Sequence, residues 1–323
     1  MVARITRLLL VVQFIAGIAI YAALIRWWPQ LGIPGAITFS VSTIVLVRMA
    51  ITANNFVLAS RTRSKLPAHY EIGTRELLRL FLHEFAATMF TSSWTMAFRA
   101  FSRRVPERPQ GLPVLLIHGY GCNSGYWDSM SKALLKTGIT HHAIDLEPVI
   151  GSIDAYTKQI HEAVEALCRE TGHGKLIVVA HSMGGLATRA YLRGHGSARI
   201  AKAITLGTPH RGTALAHFGV GINTHQMRWT AVEEEGIASD WLLQLAAEES
   251  KDTYRLFVSI YSHHDNIISP QTSSWLDGAK NIEFHAIGHV ALGLHPLIQA
   301  EVIQQVRAVS REVEASSGKR VLA

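Results

Sequence analysis

The chain has 323 residues, a mean hydropathy of +0.18 and a formal net charge of +7, and this length suits one large domain with an appendage. Residues 1–105 carry 12 Lys and Arg against 3 Asp and Glu, whereas residues 106–323 carry 19 against 21. Positive charge confined to the N-terminal third argues against a nucleic-acid partner and suits a membrane surface. The two cysteines are too few for a disulfide framework and have no metal-ligand spacing.

The segment Leu8–Trp28 is apolar and is interrupted only by Gln13 and Arg26. About twenty such residues are enough for an α-helix to cross a bilayer, and Pro29 would end that helix. A secretory signal peptide is the alternative. Its apolar region is shorter than this one, however, and it is followed by a small-x-small cleavage site that is missing here. We therefore predict an uncleaved membrane anchor.

A second apolar stretch covers Leu31–Val47 and Met49–Ala59, with Arg48 between them. It is richer in Ser and Thr, so one span and a two-span hairpin both stay open. If it crosses, basic residues on both outer flanks place the rest of the chain in the cytoplasm. If it lies only in the interface, the rest of the chain faces the other side. Residues 1–65 are predicted to form this anchor. The flanking basic residues are Arg4, Arg7, Arg61, Arg63 and Lys65.

Residues 66–111 are predicted to contain an amphipathic helix and a linker. Within residues 73–101, apolar side chains recur at helical spacing. Such a helix could lie in the membrane interface or pack on the next domain, and we predict packing. Three prolines and a glycine make Arg103–Pro113 a linker. The apolar positions are Leu77, Leu78, Phe81, Leu82, Phe85 and Met89.

From residue 112 to 323, short apolar β-rich runs alternate with helical patterns, which predicts an α/β fold with a mostly parallel sheet covered by helices on both faces. The predicted strands are Pro113–His118, Thr140–Leu146, Lys175–His181, Ile200–Leu206, Arg255–Tyr261 and Asn281–Ile287. The predicted helices are Ser129–Thr137, Ile153–Glu170, Gly184–Arg193 and Leu294–Val313.

The run LIVVAHSMGG at 176–185 predicts a catalytic nucleophile. A buried strand leads directly into a helix, and the small residues Ala180 and Gly184 allow a sharp turn that exposes Ser182. A serine that only caps a helix would not need small residues at both spacings. The helix N-terminus also favours the negative charge that develops during reaction.

The run VLLIHGYGCNSGYW at 114–127 contains a flexible loop after the first strand. An oxyanion hole needs two backbone donors, and we assign the amides of Tyr120 and Met183. A phosphate-binding loop is the alternative, but neither G-x-x-x-x-G-K nor G-x-G-x-x-G occurs here.

With TLGTPHRGT at 205–213 following IHGYG and VVAHSMGG in order, the chain resembles bacterial lipases of the α/β-hydrolase superfamily over roughly residues 112–310. The resemblance implies an α/β-hydrolase fold and a lid or cap in the long insertion at about 214–250, for which a solvated loop is the alternative. Ala180 departs from the glycine that most of the superfamily has there. Because alanine is the next smallest residue, the turn can still form.

The resemblance also places the triad acid on the loop after a late strand, where Asp265 follows the strand ending near Tyr261. Asp265 would orient the catalytic histidine and stabilise its cation. An ordinary turn aspartate is the alternative. Two other acids fit less well because they lie before the strand or too far beyond it: Asp240 and Asp277.

The base should follow the last strand, where three histidines occur. His289 follows Gly288, as in lipases, and is the predicted base. His285 falls inside the predicted strand and is interpreted as structural, while His295 is the reserve candidate. The order Ser182, Asp265, His289 is the one this fold uses.

Together these features predict a membrane-anchored serine hydrolase that cleaves carboxylic esters of lipid-like substrates through an acyl-enzyme, without a cofactor or an assigned metal. An acyltransferase, thioesterase or phospholipase with the same triad stays open. A catalytically silent scaffold is the least favoured reading, because it would be expected to lack one of the three residues. The predicted partners are the ester substrate and the membrane, and no protein partner is assigned.

Overall fold

The computed structural model describes residues 1–232 and 235–321 of the chain. Two long helices, α1 (Val2–Trp27) and α2 (Gly32–Ser60), form a hairpin around the short turn Pro29–Leu31. Both are long and apolar enough to cross a membrane, and the interruption at Arg48 does not break α2. Small residues let the helices approach closely: a Cβ built on Gly17 would lie 3.0 Å from Ile44 Cδ1.

The third helix, α3 (Thr74–Phe90), continues through a π-helical turn into the short α4 (Met96–Phe98). It packs as predicted, but through a different face from the predicted apolar stripe. The buried residues of α3 include Leu80 and Glu84. Much of the apolar stripe is instead exposed or faces α2, where the ring centroids of Phe81 and Phe56 are 6.0 Å apart. The exposed stripe residues are Leu77, Leu78 and Leu82.

In the described part of the chain, seven strands form one sheet in the order β1-β3-β2-β4-β5-β8-β9. The six predicted strands are confirmed with ends shifted by three residues or fewer, and they pair in parallel. The extra strand β1 lies in the predicted linker and pairs antiparallel at the edge. Two arginines on an edge have no alternating pattern that could predict a strand. The strands are β1 (Arg103–Arg104), β2 (Val114–Ile117), β3 (His141–Ile144), β4 (Leu176–His181), β5 (Ile200–Leu206), β8 (Phe257–Ser262) and β9 (Lys280–Phe284).

Helices cover both faces of this sheet, because alternate residues of each strand point to opposite sides. On β2, Leu115 and Ile117 join the core on the side of α6 and α7, while Val114 and Leu116 join the core on the side of α5 and α11. The helices are α5 (Asp128–Lys136), α6 (Tyr156–Thr171), α7 (Met183–His195) and α11 (Pro296–Val321).

The insertion predicted at 214–250 contains the ribbon β6 (Trp229–Val232) and β7 (Glu235–Ala238), with helices on either side; residues 233 and 234 lie outside the described chain. A buried ion pair between Arg189 and Glu249 ties its end to α7. Its helices are α8 (Ile222–Gln226) and α9 (Asp240–Glu248), followed by α10 (Lys251–Arg255).

Candidate active site

Ser182 occupies the sharp turn between β4 and α7, with φ 53° and ψ −126°. Only tight surroundings hold an L-residue in this strained region. A Cβ on Gly184 would lie 2.5 Å from Ile117 O, and one on Gly119 would lie 2.8 Å from Ser182 Cβ. The absence of side chains at both glycines is therefore what lets the turn lie against the loop after β2.

Asp265 and His289 meet on the loops that follow β8 and β9, at the carboxyl edge of the sheet where Ser182 also lies. His289 Nδ1 is 2.7 Å from Asp265 Oδ2, and both side chains are buried. The other carboxylate oxygen, Oδ1, accepts from the amides of Ile267 at 2.8 Å and Ile268 at 2.7 Å. These bonds fix the carboxylate, which in turn fixes the histidine with Nδ1 protonated and Nε2 free to accept a proton.

The electrostatic surroundings favour the cation of His289. Burial acts to lower the pKa of His289, but the charge of Asp265, its hydrogen bond and the nearby Glu84 outweigh burial, so this pKa is raised above its ordinary value. A base with a raised pKa in a buried cleft is suited to proton transfer.

His181, the residue before Ser182, packs beside the site. Its Nε2 lies 3.1 Å from His289 O, and the two rings are 4.5 Å apart between centroids. Burial and the neighbouring His289 hold the pKa of His181 well below its ordinary value, so His181 is neutral. Within the described residues no hydrogen bond joins Ser182 Oγ to His289 Nε2; this contact is often long in a substrate-free hydrolase.

The loop after β2 is held by His118. Leu146 N donates to His118 Nε2 at 3.0 Å, so His118 Nδ1 carries the proton that it donates to Gly119 O at 2.8 Å. In the described chain, the amides of Tyr120 and Met183 donate to no other protein group. Both predicted oxyanion donors are therefore unpaired.

A cavity of about 220 Å³ opens at Ser182. Tyr120 lines it, and so do Asn55 and Leu58 of α2. A larger cleft of about 670 Å³ beside the β6–β7 ribbon is lined by none of the predicted site residues, so the smaller cavity is the candidate substrate site. Its remaining wall is mostly apolar and includes Leu215, Phe218, Met227, Ile267 and Ile268.

The alternative candidates lie away from this cavity. His285 follows β9 rather than lying inside it, and its ring is 5.5 Å from that of Tyr70 between centroids. His295 accepts from Leu297 N at the start of α11. Asp240 opens α9 in the insertion, and the exposed Asp277 accepts from Trp275 Nε1.

Sequence reasoning missed Glu84, which lies buried on α3 beneath the loop of His289. Glu84 accepts backbone hydrogen bonds from Val290 at 2.9 Å and Ala291 at 3.0 Å. Burial raises the pKa of Glu84 above its ordinary value, although the hydrogen bonds from the two amides act to lower it. A lone acid on the buried side of a helix was the available signal, but it could not indicate a partner about two hundred residues away.

Gly207 was also missed, although it lies in the quoted run TLGTPHRGT. It has φ +54°, and a Cβ there would lie 3.0 Å from Asp265 Oδ2 and 3.2 Å from His289 Nδ1. The Asp265–His289 pair therefore fits only against a residue without a side chain.

Comparison with known proteins bears on the fold of this part of the chain. Residues 113–228 match a family model described as alpha/beta hydrolase fold. A triacylglycerol lipase of Pseudarthrobacter phenanthrenivorans is 28% identical over 114 residues, which cover 33% of this chain and 35% of the lipase. The non-heme chloroperoxidase CPO-A1 of Kitasatospora aureofaciens is 31% identical over 103 residues, covering 30% of this chain and 37% of the peroxidase. These matches span only about a third of each relative.

In structure, the chain is similar to the mature form of Bacillus licheniformis lipase BlEst2, with a TM-score of 0.52 and 16% identity over 64% of this chain and 97% of that lipase. This likeness shows the fold. The comparisons support the motif-based resemblance: the chain has an α/β-hydrolase fold, preceded by two apolar helices, and part of it is similar to lipases.

Proposed function

We propose that this chain is a membrane-anchored serine hydrolase that cleaves carboxylic esters of lipid-like substrates with Ser182 as nucleophile, His289 as base and Asp265 as the orienting acid. The observation that carries the proposal is the buried Asp265–His289 pair at the same sheet edge as a strained serine and two unpaired amides. Each of these features serves acyl transfer.

In the proposed reaction, His289 Nε2 takes the proton from Ser182 Oγ, which attacks the ester carbonyl carbon. The amides of Tyr120 and Met183 donate to the resulting oxyanion. The carbon–oxygen bond to the alcohol then breaks, and His289 returns the proton to the leaving alcohol. Water, deprotonated by the same histidine, attacks the acyl carbon; the bond to Ser182 Oγ breaks, His289 returns the proton to Oγ, and the carboxylic acid is released.

A lipid-like substrate is supported by the apolar wall of the cavity and by its rim. Phe218, Val220 and Ile222 are 69%, 70% and 59% exposed beside the site, and large exposed apolar side chains on one segment favour contact with a membrane or a lipid aggregate. Most of the large apolar side chains of the hairpin α1–α2 are exposed, which suits a lipid environment.

We infer that the hairpin spans a bacterial inner membrane and that the catalytic domain lies on the cytoplasmic side. Both basic flanks lie at the open end of the hairpin: Arg7 Nε donates to Ala97 O at 2.8 Å, and Thr62 contacts Ser269 at 2.9 Å. Excess positive charge marks the cytoplasmic side of membrane helices. Protease accessibility in spheroplasts tests this orientation, and digestion of the catalytic domain from outside would reverse it.

Hydrolysis of p-nitrophenyl esters, from acetate to palmitate, tests the reaction with full-length protein in detergent. We expect Ser182→Ala and His289→Ala to lower kcat by about 10³-fold or more. The matched variant His295→Ala should keep the parental kcat. Loss of activity in His295→Ala with retention in His289→Ala would refute the assigned base. Labelling of Ser182 by a fluorophosphonate without turnover of any ester would favour the transferase alternative.

A further inference from the structure

The end of α2 forms part of the candidate substrate cavity. Asn55 and Leu58 line the same cavity as Ser182, although they lie more than 120 residues before it in the chain. The helix end is fixed there by hydrogen bonds to the loop after Asp265: Ser269 Oγ donates to Ala59 O at 2.7 Å, and Ser64 N donates to Gln271 Oε1 at 3.1 Å. An apolar helix able to cross a membrane therefore also supplies a wall of the cavity.

The polar side chains of the cavity divide into engaged and unengaged groups. The hydroxyls of Tyr120, Thr213 and Thr224 donate to backbone carbonyls at 2.7 to 2.8 Å. Among the described residues, the Asn55 amide and the Ser182 hydroxyl form no hydrogen bond with another side chain or the backbone. Ser182 is the proposed nucleophile, so Asn55 is the side chain left to bind a polar group of the substrate.

The chemistry of the cavity restricts what that polar group is. None of the described side chains that line the cavity is charged, and a phosphate or a carboxylate would need a cation there. A carboxamide has two donors and an acceptor, which complement a hydroxyl that both donates and accepts. The cavity volume of about 220 Å³ is also below the 300–1,000 Å³ or so of typical ligand sites, so a long acyl chain has to leave it past Leu58 and Phe218.

We propose that α2 is a substrate-binding element, in which Asn55 binds a free hydroxyl on the alcohol part of a neutral ester and Leu58 contacts the acyl chain. This rests on the proposed function and names its substrate class: esters with an apolar acyl chain and a hydroxyl-bearing alcohol such as glycerol. The helix places the cavity beside the membrane.

The first experiment compares two esters with one acyl group, 1-octanoylglycerol and ethyl octanoate, on full-length protein in detergent micelles. For Asn55→Leu we expect kcat/KM for the glycerol ester to fall about tenfold relative to the ethyl ester, the value of one hydrogen bond. Asn54→Leu is the matched control, because Asn54 is the exposed neighbour on the same helix and does not line the cavity. It should leave the ratio unchanged.

Equal effects of Asn55→Leu on both esters, or no effect, would overturn the role of Asn55. The rate of fluorophosphonate labelling of Ser182 reports whether the variant is folded. If neither the parent protein nor Ser182→Ala hydrolyses either ester, the proposed function itself fails. A parent protein that hydrolyses both esters equally well would instead contradict only the proposed substrate class.

The second experiment tests Leu58. We expect Leu58→Trp to shift the chain-length preference towards shorter p-nitrophenyl esters, with the ratio of palmitate to butyrate kcat/KM falling about tenfold, since extra volume at a filled wall excludes a chain. Val57→Trp makes the same change on the exposed neighbouring residue, which is 53% exposed, and should keep the parental ratio. Identical profiles for the two variants would remove α2 from the substrate site.

Discussion

Glu84 accepts a hydrogen bond of 2.9 Å from the backbone amide of Val290, the residue that directly follows His289. Its second oxygen accepts the next amide, that of Ala291, at 3.0 Å. A Cβ on Gly288 would lie 2.4 Å from Glu84 Oε2. The backbone therefore contacts the Glu84 carboxyl group on both sides of His289. A helix from outside the sheet domain therefore positions the loop of His289, the proposed base.

Replacing this acid by its amide tests the positioning role. In Glu84→Gln one of the two amides loses its acceptor, and we expect kcat to fall about tenfold, the equivalent of about 1.4 kcal/mol. Because the negative charge of Glu84 raises the pKa of His289, its removal should also move the acid limb of the kcat/KM profile to lower pH. A purely structural role would not move that limb. Glu76→Gln, an exposed change on the same helix, should leave both quantities at parental values.

The pH dependence of the parent enzyme follows from the same histidine. His289 has to be neutral to act as a base, and its pKa is raised. Activity should therefore be lost as the pH falls through a midpoint above about 6.5, the ordinary histidine value. Asp265→Asn removes the main cause of the raised pKa, so its residual acid limb should lie lower, with kcat reduced about 10⁴-fold. Asp277→Asn serves as the control, and a parent midpoint well below 6.5 would contradict the assignment.

Gly207→Ala should impair the site even though no functional group is removed. The new methyl would contact Asp265 Oδ2 and His289 Nδ1, and a displaced base costs about 10- to 100-fold in kcat/KM. Gly172→Ala is the matched control, since Gly172 also has a positive φ, +70°, but has nothing within 4 Å of the added Cβ. Both variants carry backbone strain of about 1–2 kcal/mol and should show lower Tm. Equal activity losses in the two would argue for strain alone.

Tyr120→Phe should loosen the insertion while keeping the Tyr120 amide in place. Its hydroxyl donates to Val220 O at 2.8 Å and accepts from Val220 N at 3.1 Å. With both bonds lost, amide hydrogen exchange over residues 218–222 should accelerate, whereas exchange in β2 should not change. We expect kcat for short esters to fall by less than about tenfold, because the oxyanion donor is a backbone group. Unchanged exchange in this segment would show that other contacts hold it.

The sequence predicts the sheet domain in detail because its signals are local. A buried strand, a small–Ser–small turn and a helix follow one another within ten residues around Ser182, and the strand ends near Asp265 and His289 are set by apolar runs. Glu84 and Asn55 escape prediction for a different reason. Helical periodicity shows that a helix face is apolar but not which surface covers it. The apolar stripe of α3 around Leu77 is therefore predicted to pack on the domain, whereas in the structure Leu77 is exposed and Leu80 and Glu84 are the buried residues.

The placement of Glu84 and Asn55 affects how the protein can be divided. Both residues lie before residue 112, where the sheet domain begins by motif, and yet one contacts the loop of His289 and the other lines the cavity at Ser182. The N-terminal segment therefore contributes side chains to the candidate site, in addition to the membrane anchoring proposed for it. A fragment that starts at β2 would keep Ser182, Asp265 and His289 but lack both Glu84 and Asn55, whereas a chimera with a foreign helix in place of α2 would lack Asn55 alone.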